Sequence, residues 1–355
     1  MKRIVLTGGG TAGHVMPNLA LVPLLRDEGW AIDYIGSSEG MEKRLAEGAG
    51  LPYHGIPSGK LRRYLDARNF TDPFRVAAGA FKAWALLGRL QPSVVFSKGG
   101  FVTVPVVLAA RLRGIPVVLH ESDITPGLAN RLSIPFATRI CAAFRETLDH
   151  LPAARAAHTG TPIRAGLFRG DRARGLVFLG FSEDSRPLLL AMGGSLGSRA
   201  LNRALRDALP ELAPHFRVAH ICGKGAADPA LQGRDGYRQL EFIGPELADV
   251  FAAADLALSR AGANAIFELL ALKKPHLLVP LPLTASRGDQ ILNARAFAAR
   301  GYSRVLAEEE IGGGRLVREL LALWAAAGTY RQTMAAGPER DGSAAVMEQI
   351  RLAVK

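Results

Sequence analysis

Three glycine-rich turns, each directly after a short apolar run, are the segments of this sequence best suited to chemistry. The first is GGGTAGHVMP at residues 8–17, the second KGGF at 98–101 and the third GGSLGS at 193–198. Glycine in such a turn lets backbone N–H groups approach a phosphate at the start of a helix. A tight strand-to-helix turn also needs glycine on steric grounds alone. One turn would say little, whereas three after predicted strands favour a phosphate-bearing ligand. A dinucleotide dehydrogenase is the competing reading, because Gly8, Gly10 and Gly13 fit the G-x-G-x-x-G spacing. Against it, His14 follows at once, and the second strand ends at Ile35 and Gly36 without the acidic residue that holds an adenine ribose.

Polar residues gather at the same predicted strand ends. His14 stands at the start of the first helix, either as a structural histidine or with its ring toward a ligand. The run HESDITPG, residues 120–127, places Glu121 and Asp123 where an apolar strand exits. Two acids there are costly unless solvated or used. They are candidates for a general base or for binding hydroxyls, the other reading being caps for the helix after Pro126. Arg164, in GTPIR, suits a diphosphate. SRAGANAIFE, residues 259–268, reads as a strand end, a glycine turn and a helix whose first N–H groups can receive phosphate; Glu268 can accept from paired sugar hydroxyls. Asp289 and Gln290, within PLPLTASRGDQILNA, sit at another helix start and suit sugar hydroxyls too. Carboxylates meant for Mg²⁺ would favour a DxD-like pair; the sequence has none at a strand end, so neither metal nor cofactor is expected.

The elements that position these residues alternate. Strands are predicted over 3–7, 31–35, 93–97, 116–120 and 139–142, and again over 187–192, 217–222, 255–259, 276–280 and 303–306. Helical patterns lie between them, for example 17–28 and 102–113. Such βαβ alternation predicts an α/β fold with parallel sheets and helices on both faces, and ligands at the carboxyl ends of the strands. At 355 residues the chain suits two such doubly wound domains. Residues 159–172 read as the linker.

Apolar residues form 48% of the chain and its mean hydropathy is +0.13. The longest apolar candidate for a membrane span, residues 101–119, is interrupted by Arg111, Arg113, Gly114 and Pro116. Glycines 8 to 10 follow Lys2 and Arg3 too soon for a signal peptide, so a cytosolic location is expected. Cys141 and Cys222 lie in apolar runs and read as buried free thiols. The net charge of +12 calls for an anionic partner. No nucleic-acid-binding signature accompanies the arginines, which leaves an acidic membrane face or phosphorylated substrates.

Residues 60–89 carry a further pattern. Leu65, Phe70, Phe74, Phe81, Trp84 and Leu87 interleave with Lys60, Arg62, Arg63, Arg68, Arg75, Lys82 and Arg89. From 72 to 89 this predicts an amphipathic helix, suited either to an anionic membrane surface or to packing its aromatics into a core.

Taken in order, GGGTAGHVMPNLAL, SKGGFVTVP, HESDITPGLANR, GTPIR, GGSLGSRALN, SRAGANAIFE and the DQ of SRGDQILNA resemble the MurG family of bacterial peptidoglycan transferases, along essentially the whole chain. The resemblance implies a GT-B fold: two Rossmann-like domains facing each other across a cleft. Residues 1–162 would bind acceptor and membrane, residues 163–338 would bind UDP-N-acetylglucosamine, and a last helix near 339–355 would return to the first domain. It implies an inverting transfer of N-acetylglucosamine to the 4-hydroxyl of the N-acetylmuramyl group of lipid I, giving lipid II. By motif position Thr11, Ala12 and Gly13 would meet the donor sugar. Asp123, where many members carry asparagine, would bind that sugar's hydroxyls. Arg164 and Ser195 would contact the diphosphate. Ile243 with Ala263, Asn264, Ala265, Ile266 and Phe267 would line the uracil and phosphate pocket. Glu268 would take the ribose hydroxyls, and Gln290, with Asp289 beside it, the N-acetylglucosamine. The base would be His14, with Glu121 as second choice. In the family the segment around 60–89 docks on the cytoplasmic leaflet, which places the enzyme peripherally on the inner membrane. Rival readings are another glycolipid-forming GT-B enzyme, a UDP-N-acetylglucosamine 2-epimerase, and a non-catalytic UDP-sugar sensor.

Overall fold

The computed structural model describes residues 2–59, 72–181, 185–194, 197–338 and 341–354, the side chains of 72–74 excepted. The chain divides into two compact units: Met1–Arg164 with Arg340–Lys355, and Ala165–Glu339. In the first unit the strands are β1 (Arg3–Thr7), β2 (Ala31–Ser37), β3 (Tyr53–Ile56), β4 (Val94–Ser97), β5 (Val117–Glu121), β6 (Arg139–Ala142) and β7 (Ala156–His158). Its helices are α1 (Ala12–Asp27), α2 (Met41–Gly48), α3 (Asp72–Leu90), α4 (Thr103–Leu112) and α5 (Leu128–Ser133). The second unit has strands β8 (Leu188–Met192), β9 (Arg217–Ile221), β10 (Tyr237–Leu240), β11 (Leu256–Ser259), β12 (His276–Leu278) and β13 (Ser303–Val305). Its helices are α6 (Arg172–Leu179), α7 (Arg199–Leu212), α8 (Leu247–Ala253), α9 (Ala263–Ala271), α10 (Asp289–Ala299), α11 (Arg315–Ala325) and α12 (Ala327–Ala336). The chain closes with α13 (Ser343–Val354).

Among the described residues both sheets are wholly parallel, in the orders β3-β2-β1-β4-β5-β6-β7 and β10-β9-β8-β11-β12-β13. These are doubly wound orders. The chain reverses its direction of travel between β1 and β4, and again between β8 and β11, and a crevice opens at such a switch point. The central strands are buried on both faces, VVFS in β4 and VVLHE in β5 without a break, as a parallel sheet between helix layers requires. Helix α13 belongs to the first unit because Val346, Met347 and Ile350 join Ile4, Leu6, Val15 and Leu25 in one core. On the surface Arg351 pairs with Glu28, the residue after α1.

Two departures from the sequence reading bear on the site. Helix α1 starts at Ala12, not at Pro17. A proline usually marks a first turn, but here the glycine turn fixes the start, and Pro17 lies inside the helix, buried. The first half of the expected linker is packed: Thr161 and Ile163 are buried, and the Ile163 N–H donates to the Asp341 carboxylate. Cys141 and Cys222 are buried and free.

Buried histidines give the second unit an acid limit. The His220 ring lies between the Tyr237 hydroxyl and the Asn202 amide oxygen, and burial pushes its pKa down to about 3. His276 donates from Nδ1 to the Lys274 carbonyl and is pushed down to about 4, again by burial. Above pH ~6.5 both are neutral folded or unfolded. Below it the unfolded chain takes up protons first, so stability falls as pH drops, by roughly 1.4 kcal/mol per pH unit for each ring. Melting scans of the full chain at pH 7 and pH 5 should show a lower temperature at pH 5; equal temperatures would contradict this.

Candidate functional site

In the first unit three loops meet at the carboxyl ends of β1, β4 and β5. The turn after β1 runs through Gly8, Gly9 and Gly10, with Gly10 at φ 87°. The turn after β4 runs through Gly99 and Gly100, at φ 91° and 93°. The two interlock: the Gly9 N–H donates to the Gly99 carbonyl at 3.3 Å. A Cβ on Gly100 would collide with the Gly9 carbonyl. Beneath the first turn lies the fully buried carboxylate of Glu42, which accepts from the N–H groups of Ser37 and, at 3.4 Å, Gly10.

The first turn delivers Thr11, Ala12, Gly13 and His14 to the N-terminal turn of α1, Thr11 exposed and the other three half-buried. The His14 Nδ1 lies 3.0 Å from the Gly9 carbonyl and 3.3 Å from the Thr11 hydroxyl. A carbonyl only accepts, so in the neutral ring the proton sits on Nδ1 and the lone pair on Nε2. That tautomer is the one a general base acting through Nε2 requires.

The loop after β5 is organised by Glu121. One carboxylate oxygen accepts from the N–H groups of Ser122 (2.7 Å) and Asp123 (3.0 Å). The other accepts from the Gly127 N–H (3.0 Å) and the Asn130 amide (2.8 Å). A buried carboxylate so occupied acts as a loop anchor, which leaves His14 the first choice for the base. Asp123 is half-buried, its carbonyl accepting from the Thr147 hydroxyl. Below the loop Lys98 is buried and its Nζ donates to the Ser122 hydroxyl. Arg164, half-buried, is the last residue of the first unit's main segment.

The second unit has its own switch point, with polar residues at the strand ends. Ser198 caps α7, and its hydroxyl accepts from the Leu201 N–H. Ser195, expected at the diphosphate, lies outside the described residues. After β11 the backbone turns at Gly262 into α9, which has no side-chain cap at its start. Asn264, Ala265 and Glu268 are half-buried there, and Ala263 is buried. Ile266 and Phe267 were expected to line the pocket. Their side chains are instead core, Phe267 edge-on to Phe297 at 5.3 Å. Ile243 is buried as well. Gln290 uses its amide oxygen to accept from the Leu281 N–H at 3.1 Å, with its amide nitrogen toward Gly262. Asp289 lies 3.6 Å from the Arg287 guanidinium.

Sequence reasoning missed Arg260. Its buried guanidinium donates to the carbonyls of Val279 (3.1 Å) and Pro280 (3.3 Å), to the Ser198 hydroxyl (2.6 Å) and to Glu308. It thereby ties the third glycine turn to the ends of β11 and β12. The only sequence signal was a charged residue between a buried strand end and a glycine turn.

On α3, Phe81 is 70% exposed and stacks on Trp84, itself 41% exposed, with ring centroids 6.3 Å apart. The Arg113 guanidinium lies 3.9 Å from the Trp84 ring centroid, and its chain neighbour Leu112 is 70% exposed. Arg75, Lys82 and Arg89 are exposed. Leu87 departs from the expected surface stripe and is buried in the core. Leu65, Phe70, Lys60, Arg62, Arg63, Arg68 and the Phe74 side chain lie outside what is described. No described helix is long and apolar enough to cross a membrane.

Comparison with known proteins agrees with this geometry. The glycosyltransferase family 28 N-terminal domain matches residues 4–142, and the family's C-terminal domain matches residues 188–350. The UDP-N-acetylglucosamine--N-acetylmuramyl-(pentapeptide) pyrophosphoryl-undecaprenol N-acetylglucosamine transferase of Lachnoclostridium phytofermentans is 54% identical over 355 residues, covering 99% of this chain and 100% of that one. The enzyme of the same name from Clostridium botulinum is 51% identical over 351 residues, 99% of either chain. The crystal structure of Acinetobacter baumannii MurG superposes with a TM-score of 0.76 at 26% identity, covering 99% of this chain and 100% of that one. Matched in both halves and akin to these transferases over its whole length, the chain belongs to glycosyltransferase family 28.

Proposed function

We propose that this enzyme transfers N-acetylglucosamine from UDP-N-acetylglucosamine to the 4-hydroxyl of the N-acetylmuramyl group of lipid I, giving lipid II. The observation that carries the reading is the 54% identity, end to end, with a relative bearing that activity in its name. In the reaction the acceptor oxygen attacks the anomeric carbon in line, the bond from that carbon to the β-phosphate oxygen breaks, and UDP leaves with the bonding pair. Configuration inverts. The Nε2 lone pair of His14 takes the hydroxyl proton. The first N–H groups of α9 and the Arg164 guanidinium offset charge growing on UDP. Asp123 accepts from the hydroxyls of the donor sugar and Glu268 from those of the ribose. Gln290 and Asp289 serve the N-acetylglucosamine, and Ser195 the diphosphate. In the first turn Thr11, Ala12 and Gly13 bring the chain close to the sugar.

This chemistry requires the acceptor for turnover, whereas an epimerase releases UDP without one. UDP release assayed with and without a short-chain lipid I analogue separates the two. Release that depends on the analogue is expected; equal release without it would replace this reading with the epimerase.

The acceptor's lipid tail implies a peripheral site at the cytoplasmic face of the membrane. The stacked Phe81 and Trp84 with Arg75, Lys82 and Arg89 around them support docking on an anionic leaflet through α3. Inserting each ring is worth about 1.5–3 kcal/mol. Phe81→Ser with Trp84→Ser should therefore weaken binding to anionic vesicles at least about a hundredfold. Unchanged sedimentation with vesicles would exclude this face. UDP affinity serves as the control for folding.

A further inference from the structure

Lys98 has no place in the chemistry above, yet it is a charge buried to 1% exposure at the mouth of the site. It follows β4 directly and precedes the two left-handed glycines of the second turn. An ammonium removed from water is strongly unfavourable unless something nearby compensates for it. Its Nζ donates to the Ser122 hydroxyl, and the carboxylates of Glu121 and Asp123 attract it. Glu121 needs no further partner, since four donors already fill its oxygens. Its charge nevertheless stands two residues from that of Asp123, and two close carboxylates repel each other. The ammonium beneath Ser122 offsets that repulsion.

We propose that Lys98 is a positioning residue for reading the donor sugar: as buried counter-charge and as donor to Ser122, it holds the loop after β5 so that the Asp123 carboxylate is placed to accept from the sugar's hydroxyls. This rests on the reading of Asp123 as a ligand of the sugar. The groups facing the ammonium are Glu121 and His120 from β5, Ser122 and Asp123 from the loop, and Cys141 from β6. His120 is kept neutral, first by burial and then by the lysine itself. Burial pushes the Cys141 thiol up to about 12, so it stays protonated. The carboxylates are thus the only anions in that set. Burial outweighs their pull and lowers Lys98 to about 8. The charge is present below that pH and is lost above it.

The test compares the affinities of the full-length enzyme for UDP-N-acetylglucosamine and for UDP by calorimetry. UDP lacks the sugar and carries in its place a second ionisation on the terminal phosphate, whose own titration is subtracted before the affinities are compared. Lys98→Met is expected to weaken the nucleotide sugar about tenfold, the scale of one charged hydrogen bond, with UDP within about twofold. In an Asp123→Asn background the same replacement should cost less than about threefold, because the carboxylate that Lys98 places for the sugar is gone while Glu121 keeps its own four donors. Equal weakening of both ligands, or an equal cost in both backgrounds, would overturn the proposal. The unaltered enzyme provides a test that needs no variant to fold. Its preference for nucleotide sugar over UDP should shrink about tenfold between pH 7 and pH 9.5, and a flat preference would overturn the proposal. Asp123→Ala identifies which idea has failed. If that variant binds the nucleotide sugar normally, the reading of Asp123 falls. If it binds weakly while Lys98 shows no coupling, only the role of Lys98 falls.

Discussion

Replacing His14 with alanine is expected to lower kcat by roughly 10²–10⁴-fold, the usual contribution of a positioned general base. The KM for UDP-N-acetylglucosamine should stay within about threefold, because proton removal occurs in the transition state and not in the ground-state complex. The basis is the tautomer. With Nδ1 committed to the Gly9 carbonyl at 3.0 Å, Nε2 keeps its lone pair. The imidazole is further fixed by its place in the first turn of α1, directly after the interlocked glycine turns. Steady-state kinetics with a short-chain lipid I analogue measure both constants. Near-normal turnover in the variant would move the base elsewhere and leave the transfer reaction itself untouched.

Replacing Glu121 with alanine should act differently, through folding before chemistry. The change strips an acceptor from the N–H groups of Ser122, Asp123 and Gly127 and from the Asn130 amide. Leaving such donors unsatisfied is expected to cost about 3–5 kcal/mol. For a unit of this size that is a fall of roughly 6–20 °C in melting temperature. Activity should fall with it, because the displaced loop carries Asp123. Glu121→Gln separates anchor from base, since an amide presents its own donors to groups that are already donors. A lowered melting temperature is the signature of the anchor. Full stability with a large loss in kcat would restore Glu121 as a candidate base.

Much of this was legible in the sequence for identifiable physical reasons. The central strands are continuous apolar runs because they are buried on both faces. The three strands that went unseen are Tyr53–Ile56, Ala156–His158 and Tyr237–Leu240, and each forms the edge of its sheet. Their sequences, YHGI, AAH and YRQL, are short and lack a run of large apolar residues, as an only partly covered edge allows. The glycine turns were readable because left-handed backbone and close approach leave few other residues possible. What the polar residues do there was less accessible. Arg260 meets Ser198 across 62 positions, Glu42 meets Gly10 across 32 and Lys98 meets Ser122 across 24. No local pattern encodes such pairings. Helix periodicity, similarly, could not say that Leu87 turns into the core while Phe81 and Trp84 face outward.

The most direct test of the proposed chemistry follows the sugar itself. Purified full-length enzyme is incubated with UDP-N-acetylglucosamine labelled in the sugar and a short-chain lipid I analogue, and the lipid product is isolated and its new linkage determined. Label should appear on the analogue, joined to the 4-hydroxyl of its N-acetylmuramyl group in the β configuration, with one UDP released per sugar moved. Label recovered only as free sugar, or absent from the lipid while the donor binds normally, would contradict it.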